Sequence, residues 1–114
     1  MQAVFIELPA FERHREDYLD DEGFTQLQIG LMANPSAGDL VEGTGGLRKL
    51  RFADPRRGKG KRGGLRVIHY YWADGPEFWL FTVYDKGEMA DLTARQRAAL
   101  KQLLKSELIM RRKP

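Results

Sequence analysis

The 114-residue chain contains 42% hydrophobic residues and 12 aromatic side chains, enough apolar material for a single domain over residues 1–114. It has no cysteine and two histidines, which excludes disulfides and thiolate metal sites and disfavours a zinc site. No apolar run is long enough to cross a membrane, and no basic-then-apolar signal pattern is present. We therefore expect a cytoplasmic protein with no membrane partner.

Charge is unevenly distributed along the chain, although the net charge is only +3. Residues 48–66 hold nine lysines and arginines against one aspartate, a net charge of +8. Residues 1–42 hold nine acids against two arginines, a net charge of −7. This asymmetry predicts that one part of the surface attracts a polyanion such as a nucleic acid.

The first half of the chain predicts one strand and two helices. A β-rich run over residues 2–8 ends at Pro9, whose ring makes further strand pairing unfavourable. Apolar residues at helical spacing then predict two short helices, one on each side of Asp20-Asp21, and Asn34-Pro35 closes the second. Residues 34–46 are rich in Gly, Asn, Pro and Ser and predict a connecting loop.

The second half predicts three strands and a closing helix. Residues 47–53 form the first strand, 54–64 a basic glycine-rich loop, and 65–72 and 77–84 a hairpin around a turn with Asp-Gly-Pro. Thr93 and Gln96 match a capping box, and leucines at 100, 103, 104 and 108 form the apolar stripe of the last helix. The order β-α-α-β-β-β-α indicates an α+β domain, with an antiparallel sheet packed against helices.

Four cations lie on or just beyond three consecutive predicted strands: Lys49, Arg51, Arg66 and Lys86. Neighbouring strands are about 5 Å apart, so these side chains can converge on one sheet face. Converging cations suit phosphodiester cleavage, because negative charge grows on the phosphate oxygens as the ribose 2′-hydroxyl attacks. A single basic residue is more often solvated or merely binds phosphate, so charge alone indicates RNA or DNA binding.

Other residues near this charge fit RNA contact. The loop cations Lys59, Lys61 and Arg62 have no Walker or dinucleotide spacing, so we interpret the loop as an electrostatic clamp. By strand alternation, Tyr70 shares a face with Arg66, and Tyr84 shares one with Lys86, where either ring can stack on an unpaired base. Ordinary sheet packing explains both rings almost as well. His69 falls on the face opposite Arg66, which predicts a core or edge histidine.

Two stretches resemble HigB-type toxins of the RelE/ParE superfamily. They are Gly-Thr-Gly-Gly-Leu-Arg-Lys-Leu-Arg over residues 43–51 and Gly-Lys-Gly-Lys-Arg-Gly-Gly-Leu-Arg-Val-Ile-His-Tyr-Tyr over residues 58–71. The later Tyr-Asp-Lys-Gly-Glu-Met-Ala-Asp-Leu over residues 84–92 is also similar to that branch. The flanking β-α-α opening and the closing helix extend the resemblance over almost the whole chain, which implies a RelE-like fold.

The resemblance implies an endoribonuclease that cuts messenger RNA in the ribosomal A site and contacts ribosomal RNA. Its partner would be a cognate helix-turn-helix antitoxin, and it would use no cofactor or metal. By motif, the catalytic cations are Lys49, Arg51, Arg66 and Lys86. Some relatives have a tyrosine where this chain has Leu92, and Tyr84 or Tyr70 is the candidate replacement. Alternatively, positioning of the 2′-hydroxyl suffices without a protein base.

Two other functions remain open from the sequence. A ParE-like toxin would inhibit DNA gyrase by protein binding, without nuclease activity. A plain RNA-binding module would bind the same polyanion without turnover. Converging cations favour the enzyme, because gyrase binding gives no reason for such convergence.

Overall fold

A mixed five-stranded sheet lies at the centre of the computed structural model, which describes residues 3–53 and 64–112. The strands are β1 (Val4–Glu7), β2 (Asp39–Leu40), β3 (Arg48–Phe52), β4 (Leu65–Trp72) and β5 (Glu77–Asp85). The helices are α1 (Pro9–Tyr18), α2 (Asp21–Ala33) and α3 (Ala94–Arg112). The predicted α+β class is therefore confirmed, as are the two early helices, the hairpin and the closing helix.

The strand order β1-β5-β4-β3-β2 corrects the sequence prediction in two respects. The sheet is not wholly antiparallel, because β1 pairs with β5 in parallel. The long connection through the helices and the other strands permits this parallel pairing. The predicted loop over residues 34–46 also contains β2, which pairs with β3. Two exposed residues give no alternation from which a strand could be predicted.

Helices cover both faces of the sheet, so the molecule has two hydrophobic cores. Residues from α1, α2 and one sheet face form the first: Phe11, Leu19, Leu27, Leu31, Leu65, Val67, Phe78, Leu80 and Val83. The second core lies on the face towards α3: Leu8, Val41, Leu47, Ile68, Trp79, Phe81, Tyr84, Leu92 and Leu104. The predicted leucine stripe of α3 packs against this second core, as expected.

A bulge in β5 changes which of its residues face α3. Ile68 of β4 pairs with Thr82, whereas the next residue, His69, pairs with Leu80, so Phe81 is an extra residue in β5. Strict alternation from Trp79 would place Tyr84 on the α1 face. The extra residue reverses the alternation and brings Tyr84 to the α3 face.

α3 is fixed at both ends. At its start the Thr93 Oγ1 accepts a hydrogen bond from the Gln96 N–H at 3.1 Å, and the Gln96 Oε1 accepts one from the Thr93 N–H at 2.8 Å. This is the predicted capping box. At its end the Arg111 guanidinium lies 3.4 Å from Glu77 of β5 and 5.1 Å from the centre of the Trp79 ring. In the described part of the chain, no helix combines the length and apolar character that a membrane span requires.

Candidate functional site

Three of the predicted catalytic residues lie in one row across three adjacent strands. Arg66 of β4 pairs directly with Arg51 of β3 on one side and with Tyr84 of β5 on the other. Directly opposed residues project to the same face of a sheet and have Cβ atoms about 4.5–5.5 Å apart. Arg51 and Arg66 therefore share one sheet face, as predicted, and the bulge adds Tyr84 to that face.

Lys49 and two residues outside the sheet complete the site. Lys49 lies two residues before Arg51 on the same face, and its Nζ is 3.3 Å from the Asp91 Oδ1. Asp91 Oδ2 is 3.1 Å from an Arg97 Nη2 in the second turn of α3. We call this set of residues the Tyr84 cluster: Lys49, Arg51, Arg66, Tyr84, Asp91 and Arg97.

Electrostatic interactions within the Tyr84 cluster determine the protonation states of Asp91 and Tyr84. The N–H of Leu92 donates to the Asp91 carboxylate at 2.8 Å, and with Lys49 and Arg97 it lowers the pKa of that carboxyl. Burial and the nearby Asp91 charge raise the pKa of Tyr84, and the opposing influence of Arg66 and Arg97 is weaker. At neutral pH the cluster therefore presents an ionised carboxylate and a neutral phenol.

Two polar atoms of the Tyr84 cluster are buried without a partner. Over residues 3–53 and 64–112, neither the Tyr84 hydroxyl nor the Arg97 Nε makes a hydrogen bond. Leaving a buried polar group unpaired costs about 1–3 kcal/mol, and native proteins contain few such groups. A phenolic donor and a guanidinium N–H beside other cations are suited to an anionic ligand with several acceptor oxygens.

Arg66 is more deeply buried than a solvated phosphate-binding cation. Only 4% of its surface is exposed, and one of its Nη atoms donates to the Leu65 carbonyl at 3.1 Å. The sequence pattern of converging cations does not predict this burial, which also gives Arg66 a packing role. Arg66 is held rigidly in the centre of the row, which preorganises its charge but also makes it part of the local packing.

The other predicted cations are Lys86, which makes no described contact with the cluster, and three residues of the basic loop. Lys86 lies in the turn after β5 with an exposed side chain, and its backbone N–H donates to the Gly64 carbonyl at 3.1 Å. The loop cations Lys59, Lys61 and Arg62 lie outside the described residues. Their proposed RNA contacts, and the catalytic role of Lys86, remain predictions.

Tyr70 shares the α3 face with Arg66 but lies four residues further along β4, about 13 Å away. Its ring packs against Trp79 with 5.2 Å between centroids. Tyr70 therefore lies apart from the Tyr84 cluster, and its proposed role in RNA contact remains a prediction. Tyr84 and Leu92 both belong to the core on the α3 face, and Asp91, next to Leu92 in the chain, is close enough to Tyr84 to help raise its pKa.

His69 is a core residue, as predicted. It is fully buried, and its Nε2 lies 2.8 Å from the Ala37 carbonyl oxygen. Since a carbonyl only accepts, the hydrogen is on Nε2, and the buried Nδ1 has no partner among the described residues. Burial lowers the pKa of His69, so the ring is neutral near pH 7. Its pairing with Leu80 and Arg48 places it on the face opposite the Tyr84 cluster.

The sequence patterns did not single out Asp91 and Arg97, because both lie outside the strands. The negative charge of Asp91 also opposes the pattern of cations, whereas Arg97 extends it. The capping box was the available signal. It places the start of α3 beside residue 93, so Asp91 immediately precedes the helix and Arg97 lies one turn after the cap. Helix periodicity could then have predicted that Arg97 faces the strands. The contact between Asp91 and Lys49, however, depends on how α3 packs against the sheet.

No protein-family model matches the chain. Within the described residues, no group of three or more His, Cys, Asp or Glu is arranged to hold a metal ion.

Proposed function

We propose that this protein is a HigB-type endoribonuclease toxin that cuts messenger RNA in the ribosomal A site and is neutralised by a cognate antitoxin. The observation that carries the proposal is the row of Arg51, Arg66 and Tyr84 across three strands, with Lys49 and Arg97 beside it. Together they bring four cations and a neutral phenol close to one another at the α3 face of the sheet.

The proposed reaction is transfer of a phosphoryl group within the RNA strand. The ribose 2′-oxygen attacks the adjacent phosphorus, and the bond from phosphorus to the 5′-oxygen of the next nucleotide breaks. The products are a 2′,3′-cyclic phosphate and a 5′-hydroxyl. The 2′-hydroxyl gives up one proton and the leaving 5′-oxygen takes one up, so the reaction needs no redox partner or cofactor.

The cations stabilise the charge that develops in this reaction. Arg66 is fixed at the centre of the row, and a guanidinium can donate two parallel hydrogen bonds to phosphate oxygens. A preorganised donor of this kind contributes about 2.7–4 kcal/mol of transition-state stabilisation in enzymes where it has been removed. Arg51 and Lys49 extend the positive charge along β3, and Lys86 adds an exposed cation beyond β5.

Tyr84 is proposed as a proton donor or hydrogen-bond donor rather than as the base. Its raised pKa keeps the phenol protonated at neutral pH, so the hydroxyl can donate to a phosphate oxygen or to the leaving 5′-oxygen. Deprotonation of the 2′-hydroxyl is then left to solvent and to in-line positioning, which alone is worth about 7 kcal/mol or more in favourable cases.

The experiment compares purified protein with ribosomes programmed with a defined messenger and with the same messenger free in solution. Primer extension locates cuts, and the expected result is cleavage in the ribosomal A site. Arg13→Ala, an exposed cation on α1, is the charge-matched control for variants of the lysine and arginines of the Tyr84 cluster. Intact messenger in both reactions, together with inhibition of DNA gyrase in a parallel assay, would replace this proposal with the ParE-like function.

The proposed reaction also requires no metal held by the protein. Titration of the isolated protein with Mg²⁺, Mn²⁺ and Zn²⁺ by calorimetry tests this without ribosomes, which need magnesium themselves. Tight stoichiometric binding that is lost in an Asp91→Asn variant would contradict it.

A further inference from the structure

The carboxylate of Asp91 bridges two cations that come from different elements. Oδ1 lies 3.3 Å from Nζ of Lys49 on β3, and Oδ2 lies 3.1 Å from Nη2 of Arg97 on α3. The same carboxylate accepts the N–H of Leu92 at 2.8 Å. Two carboxylate oxygens thus fill the space between strand and helix in the way that two non-bridging oxygens of a phosphate would.

The ion pairs of Asp91 with Lys49 and Arg97 are partly exposed to solvent, so another anion can replace the Asp91 carboxylate. About half of the Asp91 side chain is exposed, and Lys49 and Arg97 retain 25% and 30% exposure. Ion pairs of this kind contribute about 0.2–1 kcal/mol each, because water screens them. An incoming anion can therefore replace the carboxylate without a large loss of stability.

Two further polar groups near the bridge can donate hydrogen bonds to a larger anion. Among the described residues, Arg97 Nε is buried without a partner, and so is the nearby Tyr84 hydroxyl. The Asp91 carboxylate satisfies neither donor. A phosphate has more acceptor oxygens than a carboxylate and can use donors that Asp91 leaves unpaired.

We infer that Lys49 and Arg97 form a phosphate-binding subsite that Asp91 occupies in the free protein, and that a phosphate of the bound RNA displaces it. The inference rests on the proposed function for the source of the phosphate. Asp91 is thus an internal competitor that keeps the two cations paired and correctly spaced until RNA arrives. Arg97 becomes an RNA-binding residue.

The test measures binding of a single-stranded oligoribonucleotide with 2′-O-methyl riboses, which cannot be cleaved, by fluorescence anisotropy. Asp91→Asn keeps an acceptor for the Leu92 N–H but removes the competing charge. We expect it to strengthen binding about threefold to tenfold, as release of two partly exposed ion pairs predicts. Lys49→Gln and Arg97→Gln should each weaken binding.

Asp74→Asn is the matched control, since it also removes one negative charge. Asp74 lies in the turn before β5, and the strand places it more than about 20 Å from Tyr84. At physiological salt its charge is screened over about 8 Å, so its removal should leave the affinity nearly unchanged. An equal gain in both variants would show a general charge effect and overturn the inference.

A double-mutant cycle gives the decisive comparison. If Asp91 competes for Arg97, the gain from Asp91→Asn shrinks in an Arg97→Gln background. Weaker binding by Asp91→Asn, or an undiminished gain beside Arg97→Gln, rejects the subsite. Because the oligonucleotide is not cut, binding can be measured independently of cleavage. If the gain from Asp91→Asn shrinks beside Arg97→Gln (a positive cycle) but messenger is not cleaved, only the nuclease function is rejected. Messenger cleavage with a negative cycle would reject only the subsite.

Discussion

The Tyr84 hydroxyl is buried without a partner in the described structure, which is an unfavourable arrangement for a residue with only a packing role. Removing an unpaired buried hydroxyl while keeping the ring relieves a desolvation cost. The loss of a hydrogen bond to a charged substrate has the opposite consequence for catalysis. Stability and activity of the same variant therefore report on two different roles.

We predict that Tyr84→Phe leaves the free energy of unfolding unchanged or slightly higher and slows single-turnover cleavage about 10- to 100-fold. The rate loss corresponds to about 1.5–3 kcal/mol for a hydrogen bond to a charged group. Urea unfolding and cleavage on programmed ribosomes measure the two effects. Tyr71→Phe, on the face opposite the cluster, is the control. Full activity in Tyr84→Phe would remove the hydroxyl from the mechanism.

Arg66 requires a conservative substitution because it is buried. Arg66→Ala should abolish toxicity but also leaves a cavity, whereas Arg66→Lys keeps the charge and most of the side-chain volume. We predict that Arg66→Lys slows cleavage about 100- to 1,000-fold with a small change in melting temperature, because the planar donor fork is lost. Wild-type turnover in this variant would show that charge alone is needed at this position.

His69 predicts an acid-sensitive component of stability. Its folded pKa is lowered by burial, so below about pH 6.5 the unfolded chain takes up a proton that the folded protein does not. The free energy of unfolding should therefore fall as the pH drops below that value. His69→Gln retains a donor for the Ala37 carbonyl but does not titrate, and its stability should fall less between pH 7.5 and 5. Urea midpoints at the two pH values measure this difference.

At the scale of elements, the start of α3 organises the Tyr84 cluster. The reciprocal bonds of Thr93 and Gln96 fix the first turn, and Arg97 in the next turn reaches Asp91. The bulge in β5 makes an equal contribution from the sheet, because it turns Tyr84 towards this helix. The site is therefore built where a helix start meets an irregularity in a strand.

We predict that Thr93→Ala lowers the free energy of unfolding by about 0.5–2 kcal/mol, as for other capping residues. It should also increase amide hydrogen exchange in the first turn of α3 and weaken RNA binding through Arg97. Thr25→Ala is the matched control, since Thr25 bonds the Asp21 carbonyl within α2 and caps no helix. Equal effects of the two substitutions on RNA binding would show that the capping box does not specifically support the site.

At the scale of the whole molecule, the charge asymmetry along the chain is what the proposed binding of RNA requires. Residues 48–66 carry the excess of positive charge, and the segment includes three residues of the Tyr84 cluster as well as the basic loop. Residues 1–42 are acidic and supply α1 and α2, which pack on the other sheet face. Among the described residues, Lys49, Arg51 and Arg66 thus lie on the sheet face opposite α1 and α2.

We predict that replacing Lys59, Lys61 and Arg62 together with alanine weakens association with ribosomes and lowers the salt dependence of binding. Each lost phosphate contact reduces the slope of log K against log salt by about 0.7–0.9, so the triple variant should lose about two to three units. Sedimentation with ribosomes at several salt concentrations measures the slope. An unaltered slope would show that these cations do not contact RNA.

Sequence patterns alone predict the α+β class, the bounds of most elements to within a few residues and the segment that carries the positive charge. These features follow from local properties, namely the alternation of apolar residues, the capping box and the turn residues between β4 and β5. Strand alternation also correctly predicts the sheet face of His69, because the face it shares or does not share with Arg66 depends only on the spacing of two residues in one strand.

Which side chains share the site depends instead on tertiary contacts. The parallel pairing of β1, the short β2 and the bulge at Phe81 depend on contacts between distant segments, and a pattern of single residues does not encode them. The bulge reverses the parity of Tyr84, and the docking of α3 brings Asp91 and Arg97 against Lys49. The burial of Arg66 arises in the same way, because a side chain's exposure is set by what the rest of the chain packs around it.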